Sequence, residues 1–143
     1  MSDVREALMV GRGSSGKPVA RPLSPHLQVY RLPLIVIMSI THRITGVGLA
    51  IGTLMLVWWL IAAATSGPAY DTVSWFLRSP VGYLLLFGWS VALWYHFCSG
   101  LRHLGWDFGQ GFELVEAHAS NRMVLIGTAL FTVLTWGIGL AVQ

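Results

Sequence analysis

Three stretches of this chain lack every strongly charged side chain: Ile44 to Ala64, Ser79 to Leu101 and Met123 to Val142. Each has the roughly 20 residues that a helix rising 1.5 Å per residue needs to cross a hydrocarbon core about 30 Å thick. Hydrocarbon offers no partner for an open backbone group, so only a fully hydrogen-bonded helix can cross in so short a segment. The pattern predicts an all-α membrane protein with three transmembrane helices, over about 33–64, 80–104 and 122–142.

Helix boundaries follow from local chemistry. Pro33 is acceptable in a first turn, and a helix from Pro33 to Ala64 is roughly 48 Å long, so its first turns must tilt or project from the bilayer. Ser79-Pro80 opens the second helix, and Ser120 or Asn121 caps the third. Thr65 to Arg78, containing Ser66-Gly67-Pro68, reads as the loop between the first two spans, and Gly105 to Ser120 as the loop between the second and third. Residues 1–20 read as a flexible N-terminal tail and 21–32 as an extended arm, because Arg21-Pro22-Leu23-Ser24-Pro25 forbids a helix. The membrane domain is 33–143. Gly11 to Lys17 faintly resembles a phosphate-binding loop, but no hydrophobic strand precedes it and no helix pattern follows.

Composition narrows the functional classes. Hydrophobic residues make up 55% of the chain and charged ones 10%, which leaves the placement of charge as the informative quantity. Arg5, Arg12, Lys17, Arg21, Arg31 and Arg43 precede or open the first span, Arg102 and Arg122 flank the second loop, and only Arg78 lies on the other side. The positive-inside rule therefore puts the N-terminus in the cytoplasm, or in the matrix of an organelle. Positive charge that borders membrane spans without interleaved stacking aromatics excludes nucleic acid as the partner. Cys98 is the single cysteine, so neither an internal disulfide nor a cysteine-ligated iron–sulfur cluster belongs to this chain alone. The first 30 residues hold no apolar run of signal-peptide length, so the first span is expected to be its own insertion signal. No internal repeat supports a transporter built from two halves.

Chemistry concentrates at the end of the second span. At about 100° per residue, His96, Gly100 and His103 fall within about 60° on one helix face. Two imidazoles separated by a missing side chain suit a flat ligand, and haem is the natural candidate, since iron accepts a neutral imidazole nitrogen. On the first helix Ser39, His42, Arg43 and Gly46 share a face within about 100°. Arg43 has no carboxylate in any span to pair with, so its counter-charge is Asp107, a lipid phosphate or a cofactor carboxylate. Both polar faces lie at the same end of their helices, so His42, Arg43, His96, Arg102 and His103 can converge on one pocket. A bis-histidine haem needs imidazoles on opposite porphyrin faces, and the second must come from His42 or from another chain.

Two motifs carry a resemblance to a known family. Arg21-Pro22-Leu23, Ser39 and His42-Arg43-Ile44-Thr45 resemble one signature of the cytochrome b membrane-anchor subunits of succinate dehydrogenase, respiratory complex II. His96, Gly100-Leu101-Arg102-His103-Leu104, Trp106-Asp107 and Gly109 resemble the other. The resemblance covers residues 21 to 143 and implies half of a heterodimeric haem-binding helix bundle. It implies that His96 is the axial ligand of haem b, with the other ligand from a second small anchor subunit, and that Ser39 and Arg43 belong to a ubiquinone site. His42, Arg43, Gly100, Arg102 and His103 would then form the haem pocket or meet the propionates.

The remaining implied partners are an iron–sulfur subunit, a flavoprotein subunit that oxidises succinate, and the lipid bilayer. No residue of this chain is catalytic for succinate oxidation. The location implied is the bacterial inner membrane, or the mitochondrial inner membrane in a eukaryote. Two rival readings stay open on sequence: a haem-free structural anchor, and a fumarate reductase anchor running the reverse reaction.

Overall fold

The computed structural model describes residues 10–20 and 31–142. The first nine residues of the tail and the arm's Arg21 to Tyr30, with Ser24 and His26, lie outside the described residues. The chain divides into two compact units at Leu32 and Pro33, each described here by itself.

In the first unit β1 (Val10–Arg12) and β2 (Pro18–Ala20) pair antiparallel, Val10 opposite Ala20 and Arg12 opposite Pro18. The Gly13 amide donates to the Lys17 carbonyl at 2.9 Å, and Gly16 closes the turn with φ 74°, a conformation that glycine adopts without a Cβ penalty. Sequence alone gives this segment no regular structure. Gly13-Ser14-Ser15-Gly16 supplies turn chemistry between two short runs carrying valine, so Gly11 to Lys17 is mostly a hairpin turn rather than a phosphate loop.

The second unit contains α1 (Leu34–Thr65), α2 (Gly67–Leu77), α3 (Pro80–Asp107) and α4 (Leu114–Ala141). Three of these, α1, α3 and α4, are long and apolar enough to cross a membrane. Helix α3 lies in the middle and packs against both α1 and α4. Most large apolar side chains point away from the bundle, among them Ile51, Leu54, Leu84, Ile126 and Val133. Lipid is as apolar as leucine, so polar contacts and close packing must tie the helices together. Trp94 Nε1 donates to Thr135 Oγ1 at 2.9 Å and Trp136 Nε1 to Ser90 Oγ at 2.9 Å, both joining α3 to α4. At the end of the bundle where α1 begins, Met38, Tyr95 and Val124 form a small buried core, and the Tyr95 hydroxyl donates to the Met38 carbonyl at 2.8 Å.

Two boundaries differ from the sequence reading. The expected loop Thr65 to Arg78 contains helix α2: Ser66 is its N-cap, accepting from the Ala69 amide at 3.4 Å, and Pro68 sits in the first turn, so Ser-Gly-Pro is a helix start there. The third long helix begins at Leu114, not near residue 122, with Glu113 as N-cap. The apolar run marks where hydrocarbon begins, while the helix extends beyond it through Glu116, His118 and Asn121. Asn121 is therefore no cap; it lies inside α4 and is buried.

Candidate functional site

The polar residues gather where α1 starts and α3 ends. His42 of α1 lies between two α3 histidines, its ring stacked on His96 at 4.0 Å and 12°, and 5.0 Å from the ring of His103. Gly46, one turn beyond His42, makes this approach possible, because a Cβ there would stand 3.0 Å from His96 Cε1. All three rings are half-buried, so the cluster is open on one side of the bundle. A Cβ on Gly100 would meet nothing within 4 Å, which leaves free space one helical turn from His96.

Hydrogen bonding fixes the chemistry of His96. Its Nδ1 is 3.1 Å from the His42 carbonyl oxygen, which can only accept, so Nδ1 carries the proton and Nε2 the lone pair. Thr45 reinforces that choice: its hydroxyl donates to the same carbonyl at 2.9 Å and its oxygen lies 3.3 Å from His96 Nδ1. An imidazole oriented through Nδ1 presents Nε2 in the ring plane, as metal-binding histidines do. The face-on stacking of His42 leaves that in-plane lone pair uncovered. The buried Nδ1 of His42 has no partner among the described residues.

Arg102 turns into the seam between α3 and α4. It is 8% exposed, and its guanidinium donates to Asn121 Oδ1, to Ser99 Oγ at 3.4 Å and weakly to Met38 Sδ at 3.9 Å. The guanidinium carbon sits 4.7 Å from the centre of the Trp106 ring, a cation–π distance. Trp106 in turn meets His103 edge-on at 4.9 Å and donates to the Gly111 carbonyl at 3.0 Å. Asn121, Arg102, Trp106 and His103 thus form one contact chain from α4 to the histidine cluster. Among the described residues Arg102 Nε and Asn121 Nδ2 are left without partners.

The other sequence-predicted residues stand apart. Ser39 is half-buried, one turn before Arg43 on the same face of α1. Arg43 and Asp107 are both exposed, and neither makes an ion pair among the described residues. Of the five groups expected to converge, the histidines meet, Arg102 reaches them through Trp106, and Arg43 faces outward. Thr45 and Asn121 were not singled out by role. Thr45 ends the first motif, and Asn121 is the neutral acceptor that an unpaired intramembrane arginine calls for.

This geometry defines a class: a membrane-spanning helical protein with a cluster of three half-buried histidines near one end of the bundle. The family model described as succinate dehydrogenase/fumarate reductase transmembrane subunit matches residues 17–135. The chain is 50% identical over 115 residues to the succinate dehydrogenase cytochrome b556 subunit of Paracoccus denitrificans, covering 80% of this chain and 88% of that protein. It is 38% identical over 117 residues to the subunit of the same name from Rickettsia felis, covering 81% and 90%. With the succinate dehydrogenase cytochrome b560 subunit of Reclinomonas americana the identity is 31% over 130 residues, covering 87% and 90%. The chain belongs to the family of succinate dehydrogenase/fumarate reductase transmembrane subunits, members of oxidoreductase complexes.

Proposed function

We propose that this chain is the membrane-anchor cytochrome b subunit of a succinate:quinone oxidoreductase, holding haem b together with a second small anchor subunit and helping to form the site where ubiquinone is reduced. The observation that carries the reading is the histidine cluster itself, with His96 Nδ1 held 3.1 Å from the His42 carbonyl so that Nε2 is the nitrogen left to bind iron. Haem bound there supplies a reversible one-electron iron couple.

This chain's own residues have separable tasks. His96 would hold the iron through Nε2, while Thr45 and the His42 carbonyl keep its ring from rotating. His42 touches His96 face to face at 4.0 Å, so these two could not both hold one iron from either side, and a second imidazole would come from the second anchor subunit. His42 and His103 would offer N–H groups to the haem's carboxylates, and Arg102, stacked on the Trp106 ring that meets His103, would add positive charge nearby. Ser39 and Arg43 hold the quinone head: a hydroxyl proton and a guanidinium at a carbonyl oxygen stabilise the negative charge that develops as electrons arrive. Protons then enter from the adjacent aqueous side. Succinate loses its electrons on a flavoprotein subunit, and an iron–sulfur subunit relays them.

The lysine and arginine bias puts the N-terminus and the α3–α4 loop in the cytoplasm of a bacterium, or in the mitochondrial matrix. A redox difference spectrum of the purified complex tests the proposal. His96→Ala is expected to remove the reducible b-type band; an unchanged band overturns the ligand assignment. Undiminished quinone reduction in a complex without haem would make the chain a haem-free anchor.

A further inference from the structure

Two neighbouring residues of α3 grip α1 at two levels. The Tyr95 hydroxyl donates to the Met38 carbonyl at 2.8 Å, and His96 Nδ1 lies 3.1 Å from the His42 carbonyl. Met38 and His42 stand four residues apart on α1, about 6 Å along the helix axis. One bond would leave the start of α1 free to rock about it, whereas two at that spacing hold both its rotation and its tilt. The Tyr95 bond is sealed from water, since Tyr95 is 6% and Met38 2% exposed. The other contact at this level, from Arg102 to Met38 Sδ at 3.9 Å, is long and to a weak acceptor. Burial alone leaves the hydroxyl unexplained, because a phenylalanine ring would fill the same small core with Met38 and Val124. Nor does the Met38 carbonyl need it, since within an α-helix that oxygen already receives the His42 amide.

We propose that Tyr95 is a positioning residue for quinone reduction, a role that rests on the quinone contact already proposed for Ser39. Ser39 follows the clamped Met38 and lies about 100° round α1 from it, on a face that turns with any movement about that anchor. A side-chain tip 5–6 Å from the axis moves by about 1 Å for each 10° or so of rotation. Misplacement by about 1 Å is enough to cost up to a hundredfold in rate. Arg43 follows such a shift by rotating its long side chain. The short side chain of Ser39 cannot, so the backbone alone sets where its hydroxyl stands. Tyr95 and His96 being consecutive, the same clamp ties the Ser39 face of α1 to the histidine of α3 proposed to hold iron.

Succinate-driven ubiquinone reduction by the purified complex tests the role, with reduction of a soluble dye ahead of the quinone site as the measure of assembly. Tyr95→Phe is expected to lower kcat/KM for ubiquinone by about two- to tenfold, the effect of one neutral hydrogen bond, with dye reduction and the b-type absorption band unchanged. In a Ser39→Ala background the same substitution is expected to change kcat/KM by less than about twofold, because the group it positions is gone. Wild-type activity in Tyr95→Phe, an undiminished effect in the Ser39→Ala background, or parallel loss of dye and quinone reduction overturns the positioning role alone. Normal quinone turnover in both Ser39→Ala and Arg43→Ala overturns the quinone reading and the role of Tyr95 with it, which tells the two failures apart.

Discussion

Asn121→Leu removes the acceptor that faces the buried Arg102 guanidinium while keeping the number and branching of side-chain heavy atoms, so loss of that polar contact is its main effect. Asn121 is 1% exposed and Arg102 8%, which leaves water no access to replace the lost oxygen. Ser99 Oγ at 3.4 Å and Met38 Sδ at 3.9 Å remain, but both are long. Hydrogen bonds to charged groups contribute about 1.5–3 kcal/mol, whereas polar contacts between membrane helices average nearer 0.6 kcal/mol because the separated helices find other partners. Burial of both residues favours the upper range, and about 2 kcal/mol is expected. That corresponds to roughly a thirtyfold increase in local opening. Hydrogen–deuterium exchange of the assembled complex, followed on peptides from the first three turns of α4, reads the change directly. Asn121→Asp keeps an oxygen in place and is expected to exchange within about fivefold of wild type. Unchanged protection in Asn121→Leu, or equal loss in both variants, refutes the role given to this contact.

Thr45→Val removes one of the two oxygens near His96 Nδ1 and leaves the His42 carbonyl at 3.1 Å, so haem transfer to an apoprotein acceptor should accelerate by about two- to tenfold, the value of one neutral hydrogen bond, without loss of the absorption band. Gly46→Ala puts a methyl 3.0 Å from His96 Cε1, which must move by a few tenths of an ångström; a shifted b-type band at reduced haem content is expected, and an unshifted one contradicts the packing. On the quinone role proposed for it, Arg43→Ala should lower kcat/KM for quinone by about a hundredfold while copurification with the other subunits stays normal, since a charge acting on the developing anion affects turnover and not assembly. Normal turnover would take Arg43 out of the site.

The membrane spans were legible because hydrocarbon imposes one rule on every residue it touches, and the absence of Asp, Glu, Lys and Arg records that rule directly. The histidine face of α3 was legible for a similar reason, since helical periodicity alone brings His96, Gly100 and His103 together. Helix α2 was not, because Ser66-Gly67-Pro68 carries equal weight as a turn and as a capped helix start, and only the packing of Trp58 on Phe76 and of Trp59 on Tyr70 decides between them. The onset of α4 was hidden by the difference between where a helix starts and where lipid starts. The partner of Arg102 was hidden too. A search for opposite charge passes over a neutral amide, although the low dielectric makes an amide oxygen a sufficient acceptor.

Arg43 and Arg102 show how the two faces of this bundle differ. A guanidinium on a membrane helix costs about 2.5–3.5 kcal/mol at the bilayer centre and less towards the interface. Arg102 offsets that cost within the chain, through Asn121, Ser99 and the Trp106 ring. Arg43 is exposed on α1 with no ion pair among the described residues, on the helix that also carries Ser39 and His42. Any structure that covers this face with an acceptor therefore gains energy. His96 makes the same demand in another form, because His42 occupies one face of its ring while Nε2 and the space at Gly100 stay open. The α3–α4 side meets most of the demand of its arginine and the α1 side does not, which is the asymmetry that the proposed sharing of a cofactor with a second chain calls for.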